Sequence, residues 1–540
     1  MSIERSKDKD IKPLSAPSKA LGEGTLGQPS MRGAGAGSEA TAAEPQNLLN
    51  LSYSYGREID LNSKKEKSAD GDSSRPAACG NAASVIAVET AVHVYPPVTK
   101  TQKKVKKEEK DRQLLITDRW LVRNGHFLTY IGLYLFSVLV LFRPYEIVPG
   151  LGFLSATAFY FALATLAIFL PSQLATESNL TMFSTEVKAI LVMAFIALVT
   201  IPIAKDPVEA WDKFNDPFIK AVVIFIVLAN VVRTRRRLMG LMWLSFGIGI
   251  YLAFSAVQLY MTGQFAVEGY RVEVNVGGMF GNPNEMAMHF VMMTPLVIAL
   301  GIASRRKFMR WVYFGMAGLF LAANMVTFSR GGFLGLIVCM AVLTWKLGRK
   351  HRLNVTLASI VVGVIAIAAA PGNYGLRMLS IFIPGLDAVG SSDQRSELLK
   401  LSLLVTARNP WGIGIGNFPI VGIRNLQSHN AFTQVSAELG ILGLIAYLIF
   451  IISPFRKLGA IERTLFDADN HNWFYYMAIG LQASIIGYLV SSFFASVAYN
   501  WFIYYLIAYA VAFRRIYSLE TGSEDVKARF LWQERSGEAA

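Results

Sequence analysis

One histidine stands where a polar loop becomes an apolar helix. The stretch Ser428-His429-Asn430-Ala431-Phe432 leads through Glu438, Gly440 and Gly443 into an apolar run ending at Phe450. Imidazole titrates near neutral pH, so a histidine at such a boundary can take or give a proton. A lone histidine at a helix entry is more often a cap or an interface residue than a catalyst. Glu438 lies inside the apolar run, about two turns beyond His429. A carboxylate there points either to function or to structural pairing.

Arginines are the second group able to do chemistry. Thr327-Phe328-Ser329-Arg330-Gly331-Gly332-Phe333-Leu334 separates two apolar runs with scarcely a loop between them. Arg330 there either snorkels or meets a partner. The two glycines after it let a backbone or a ligand come close and serve snorkelling no obvious purpose. Tyr270-Arg271 precedes Gly277-Gly278-Met279-Phe280-Gly281-Asn282-Pro283-Asn284-Glu285. Asn282, Pro283 and Glu285 read as a helix start: an N-cap, a first-turn proline and an acidic N3 residue. Such an N-terminus also favours anions. Arg377, Asp393-Gln394-Arg395-Ser396 and Arg424 follow. Each alone reads as a solvated charge, although the planar guanidinium fork suits diphosphate. Arg143, Asp206, Lys220 and His289 are further candidates for lining a cavity, although snorkelling is the plainer account of Lys220 and bundle packing that of His289.

Other chemistries lack their signatures. The sequence shows no glycine-rich phosphate loop, no acidic metal dyad in an outward loop, no His/Cys metal cluster and no Ser-His-Asp order. No cofactor or metal is expected.

The elements that must position these residues are membrane helices. The chain has 540 residues, 53% of them hydrophobic, and a mean hydropathy of +0.39. Its apolar runs of about 20 residues have the length that crosses a bilayer. The expected spans are 126–143, 151–171, 186–204, 217–232, 238–257, 284–303, 311–328, 331–346, 353–371, 432–452, 472–492 and 497–514. The fold class is therefore all-α: a polytopic bundle of about twelve transmembrane helices. Residues 1–115 are rich in Ser, Ala, Gly, Lys and Glu and lack a long apolar run, so a disordered cytoplasmic tail is expected. It ends in Lys103-Lys104-Val105-Lys106-Lys107, a cluster suited to anionic lipid or to fixing topology. The membrane domain runs from 116 to 515, and a second cytoplasmic tail covers 516–540.

The net charge, 52 − 38 = +14, is concentrated in short clusters between apolar runs. With an internal N-terminus, Arg233-Thr234-Arg235-Arg236-Arg237, Arg305-Arg306-Lys307, Arg349-Lys350-His351-Arg352, Arg456-Lys457 and Arg514-Arg515 all fall on the cytoplasmic side. The loop 172–185 has neither Lys nor Arg and is the weak point of this pattern. No aromatic-interleaved basic patch argues for nucleic acid. Three outward segments remain: 205–216, 258–283 and 372–431. The last, with Trp411, Phe418, Pro419 and many glycines, is expected to form a partly helical cap on the outward membrane face. Cys79 and Cys339 lie in different regions, so no disulfide between them is expected. The charged N-terminus does not resemble a signal peptide.

Together these residues resemble the O-antigen ligase and polymerase superfamily of bacterial lipid-linked-glycan transferases. Gly281-Asn282-Pro283-Asn284 resembles its asparagine-proline-asparagine segment. Ser329-Arg330-Gly331 with Leu334 is similar to its arginine-x-x-x-leucine element. His429-Asn430, nine residues, Gly440, two residues and Gly443 resemble its histidine signature. The likeness is close over roughly 215–455 and loose over the whole helix plan. It implies transfer of a glycan from undecaprenyl diphosphate, at the periplasmic face of the inner membrane, to an acceptor. The acceptor would be lipid A–core, another lipid-linked repeat, or a protein hydroxyl. It implies His429 and Arg330 as catalytic residues without a metal. Arg271, Arg395, Asn282, Asn284, Ser329, Asn430 and Glu438 would bind diphosphate or glycan. Partners would be the carrier-linked glycan, a lipid or glycan acceptor, the bilayer and proteins of envelope-polysaccharide assembly. A transporter or flippase of lipid-linked glycans and a non-catalytic envelope scaffold are the rival readings. A transporter would place polar groups near the bilayer midplane, often with internal repeats; here they cluster at helix ends.

Overall fold

The computed structural model describes residues 126–522, apart from 149, 153, 178, 275–279, 281, 350–351, 369, 371, 373, 382 and 384–390. The expected tails before 126 and after 522, the 103–107 basic cluster, Cys79, Gly277–Met279 and Gly281 lie outside the described residues. All described residues fall within one compact unit of the chain.

Those residues form helices and no strand; the one β-bridge joins Val267 to Arg271. The main elements are α1 His126–Leu141, α2 Leu154–Glu177, α3 Thr185–Thr200, α4 Pro207–Lys213, α5 Ile219–Val231 and α6 Arg235–Met261. They continue with α7 Pro283–Ala303, α8 Lys307–Val326, α9 Arg330–Leu347, α10 Arg352–Ala368, α11 Tyr374–Leu379 and α12 Ser391–Arg408. The last three are α13 Ala431–Asp467, α14 Trp473–Ser492 and α15 Trp501–Thr521.

A helix occupies each of the twelve apolar stretches marked out by hydropathy. Among the described residues, nine segments are both long and apolar enough to cross a membrane. His126–Leu141 and Arg352–Ile365 are shorter apolar helices. α15 carries Arg514, Arg515 and Glu520 and is not among the nine. The chain is a membrane protein by the length and apolar composition of these nine segments. The expected 472–492 and 284–303 spans match α14 and α7 to within a residue. By contrast α13 runs on to Asp467, well past the apolar stretch expected to end at 452.

Polar side chains start the helices where loops give way to apolar runs. Ser184, Thr234, Asn282, Ser329, Asn430 and Asn472 each accept a backbone N–H of the following turn. This satisfies donors that the helix itself leaves open. Between helices, hydroxyl pairs take the place of water: Ser137 with Tyr505 at 2.8 Å, Ser245 with Tyr509 at 2.7 Å and Tyr447 with Tyr488 at 2.7 Å. α14 sits between α7, α9 and α13. A Cβ at Gly480 would stand 2.8 Å from the Ala299 methyl. Small residues there let the backbones approach, as membrane packing favours.

The basic clusters gather at one end of the bundle. Arg235 pairs with Glu520 at 3.0 Å. Lys457 and Arg514 both reach the buried Glu186 at 3.0 Å. Lys346 and Arg349 close on Glu462 at 2.6 and 2.8 Å. The C-terminus of α8 and the N-termini of α7, α9, α13 and α15 lie at the opposite end, which carries the candidate site.

The long segment 372–431 is partly helical, with α11, α12 and a short turn Phe418–Val421. It docks onto α13 through a broken helix. Gly440 sits at φ 73° and ψ −174°, a conformation open essentially to glycine alone. The break exposes carbonyls that a regular helix would occupy. Ile413 N donates to Ala437 O, Gly414 N to Glu438 O and Ile441 N to Pro410 O, each at 3.0 Å. Leu398, Val405, Ile413, Phe418 and Ala437 pack beneath this joint.

Candidate functional site

Three capped helix starts meet the expected arginines. Asn282 caps α7, and its side chain accepts Asn284 N at 2.8 Å. Ser329 caps α9, accepting Gly332 N at 3.2 Å. Asn284 Oδ1 ties the two together, accepting the Ser329 hydroxyl at 2.9 Å and an Arg271 Nη2–H at 2.8 Å. Asn430 caps α13 by accepting Phe432 N and Thr433 N at 2.9 and 3.1 Å. Helix N-termini carry partial positive charge, so the convergence of α7 and α9 adds to the arginines.

Arg271 is buried and held on several sides. Its Nε donates to Thr327 O at 2.9 Å, and Nη1 lies 3.4 Å from Glu268. Glu268 also pairs with Arg377 at 3.1 Å and accepts the Tyr270 hydroxyl. Arg377 donates from Nε to Phe328 O at 2.9 Å and lies over the Tyr270 ring, 4.9 Å from its centroid. Arg330 is 9% exposed at the first position of α9.

Electrostatics join these residues to α12 and to the histidine. Burial lowers the affinity of Arg395 for its proton, and the charges of Arg271, Arg330 and Arg377 lower it further, with Glu268 opposing them. Burial likewise pulls Arg271 down; Glu268 offsets it and Arg330 adds to it. His429 titrates below its ordinary 6.5, first because it is buried and then because Arg395 is near. Four guanidinium groups thus share one neighbourhood with Glu268 and a histidine held toward its neutral, proton-accepting form. Such a group can bind a multiply charged anion and accept a proton beside it.

The structure therefore brings together Arg271, Arg330, Arg395, His429, Asn284 and Ser329. Asn282 and Asn430 serve as caps at its edge. Glu438 is in the joint between the long segment and α13, where its Oε1 accepts Phe418 N at 3.4 Å and Tyr499 lies beside it. Arg377, which alone reads as a solvated charge, is half-buried in the cluster, whereas Arg424 and Asp393 are exposed. Gly331 and Gly332 are filled by protein: a Cβ would stand 2.9 Å from Phe494 Cβ at the first and 2.7 Å from Ala287 Cβ at the second. They allow helix packing around Arg330. Lys220 pairs with Asp216 at 2.6 Å, and His289 packs in the bundle with Nε2 3.3 Å from Ser245 O. Sequence reading missed Glu268. The available signal was a lone carboxylate beside Tyr270-Arg271, in a turn bounded by Gly263 and Gly269.

No group of three or more His, Cys, Asp or Glu residues able to hold a metal ion occurs among the described residues. No curated protein matches the chain. Residues 315–448 match the family model described as O-antigen ligase, a stretch that contains Arg330, Arg377, Arg395 and His429. That match covers the end of α8, all of α9 and α12, and the histidine-led start of α13, and over this stretch the chain is similar to the O-antigen ligase family.

Proposed function

We propose that this O-antigen ligase-like membrane protein transfers a glycan from undecaprenyl diphosphate to an acceptor hydroxyl, at the periplasmic face of the inner membrane. The observation that carries this is the grouping of Arg271, Arg330, Arg377 and Arg395 beside His429. In the reaction, the acceptor oxygen forms a bond to the anomeric carbon as the carbon–oxygen bond to diphosphate breaks. The bonding pair leaves with the diphosphate, and the acceptor proton passes to His429. Diphosphate is already a good leaving group, so the demand is to stabilise charge on its departing oxygen. The guanidinium groups do this as fixed cations, with Arg330 and Arg271 nearest the α7 and α9 N-termini. No metal is then required. One displacement from the opposite face inverts the anomeric centre.

The side assignment follows from the charge clusters. The basic end is the cytoplasmic one by the positive-inside rule, so the arginine–histidine end faces the periplasm. Polar groups concentrated at helix ends, rather than at midplane, favour transfer over transport.

Arg330→Ala and His429→Ala test the reading in a strain lacking the gene. Each is expected to insert at the wild-type level and to lose glycan transfer. Full transfer in either variant would remove that residue from the mechanism. Transfer should persist in chelator; loss restored by a divalent ion would refute the metal-free scheme. The deletion strain assigns the acceptor: capped single repeats indicate a polymerase, and accumulated lipid-linked polymer with bare core indicates a ligase.

A further inference from the structure

The half of α6 nearest the site carries polar side chains in a row. Tyr251, Ser255, Gln258 and Thr262 recur at i, i+4, i+7 and i+11, which places them on one helix face. Phe254 and Met261, off that row, are apolar and 64% and 81% exposed. Tyr251 lies about 15 Å from the end of the helix at 1.5 Å per residue. Hydroxyl groups such as those of Tyr251 and Ser255 are costly against hydrocarbon at that depth. The row instead lines a cavity of about 300 Å³, completed by Leu259, Gln264 and Val274. Gln264 and Val274 belong to the two arms of the turn that presents Arg271, whose base is the Val267–Arg271 bridge. Gln264 N donates to Leu259 O at 2.9 Å and fixes one arm to α6.

We propose that this cavity is a saccharide subsite, an assignment that rests on the transferase reading. Its lining is neutral: two amides, two aliphatic hydroxyls and a phenol beside Leu259 and Val274. Amides and hydroxyls both donate and accept, which matches neighbouring sugar hydroxyls, and the tyrosine and aliphatic groups offer a face for ring C–H groups. A phosphate would find no cation among these residues. An acyl chain would leave the amides and hydroxyls unmatched. The volume lies at the lower end of small-molecule sites, in keeping with one or two sugar rings. Because the cavity shares its turn with Arg271, a sugar bound here stays within reach of a diphosphate at the arginine cluster.

The test uses purified protein in proteoliposomes. The donor is the lipid-linked saccharide extracted from a strain lacking the gene, and the acceptor comes from the same strain. Gln258 and Gln264 are exposed, so Gln258→Leu with Gln264→Leu should preserve insertion. The double variant is expected to raise the KM for one saccharide substrate about tenfold, the loss of one or two hydrogen bonds, while kcat stays within about twofold. The KM that rises shows whether the ring belongs to donor or acceptor. Unchanged KM values for both would overturn the subsite while leaving the transferase reading intact. Absence of transfer by the wild type would overturn that reading itself. Saturation-transfer NMR with the saccharide released by mild acid gives a readout independent of turnover. Contact signals with the wild type that vanish in the double variant support the subsite; no signal with the wild type overturns it.

Discussion

Gly440→Ala should undock the long segment from α13 and abolish transfer without touching an arginine or His429. At φ 73° and ψ −174° an alanine is strained, at about 1–3 kcal/mol. Its Cβ would also stand 2.3 Å from Pro410 O and 2.6 Å from the Trp411 carbonyl carbon. Both of those atoms are backbone, so no rotamer change relieves the contact. The joint then has two outcomes. It can keep its geometry and carry strain and overlap together. Alternatively it can regularise the helix and lose the three 3.0 Å hydrogen bonds from Ile413, Gly414 and Ile441. At about 0.5–1.5 kcal/mol each, those bonds are worth about 1.5–4.5 kcal/mol, which bounds the destabilisation by the cheaper route. Gly318→Ala is the control, since nothing lies within 4 Å of a Cβ there and alanine favours the helix. Thermal unfolding in detergent, protease sensitivity of residues 409–417 and glycan transfer form the assay. The expected result is a lowered transition, cleavage in that loop and lost transfer for Gly440→Ala only. A Gly440→Ala protein with the wild-type transition and an intact loop would refute the broken-helix joint as the element that seats α12 and His429.

Arg330→Lys keeps the charge but removes the fork, and should still lower kcat about a hundredfold in a transfer assay, the scale of losing one oriented charge-stabilising donor. His429 sits below its ordinary 6.5 through burial and the nearby Arg395 cation. Its neutral, proton-accepting form is therefore lost only as pH falls through that lowered value. Arg395→Gln removes a repulsion from the imidazolium and should move the acid limb of a normalised pH–rate profile to higher pH, whatever it does to the maximal rate; an unmoved limb would show that the two groups are uncoupled. Glu268→Gln should release Arg271 and Arg377 together and raise the donor KM more than Arg424→Gln, since Arg424 is exposed outside the cluster. At the basic end, Glu462→Ala leaves Lys346 and Arg349 without their shared carboxylate and should cost about 1–3 kcal/mol, discounted for the partial exposure of both cations, with KM unchanged.

Much of this protein follows from the order of its residues alone. Apolar runs long enough for a bilayer set where helices form, because backbone groups in hydrocarbon must bond within their own segment. Basic clusters at alternate connections predict an orientation, because cations are retained on one side. Asn282, Ser329 and Asn430 are readable as caps, since each precedes its helix with an oxygen placed to accept a nearby N–H. The pairing of His429 with Gly440 and Gly443 is also visible as spacing. What the spacing could not say is what the glycines do. Gly331 and Gly332 admit Phe494 and Ala287, and Gly440 breaks a helix so that a loop far back in the chain can dock. Those are contacts between segments distant in sequence, and no local pattern encodes them. The same holds for charge. Arg377 reads as solvated until Glu268, Tyr270 and Phe328 O surround it, and the surroundings of Glu438, beside Phe418 N and Tyr499, are likewise invisible in the sequence. A guanidinium or carboxylate has its role set by its neighbours and its burial. Both are properties of the packed bundle, which brings four arginines and one histidine into a single cluster.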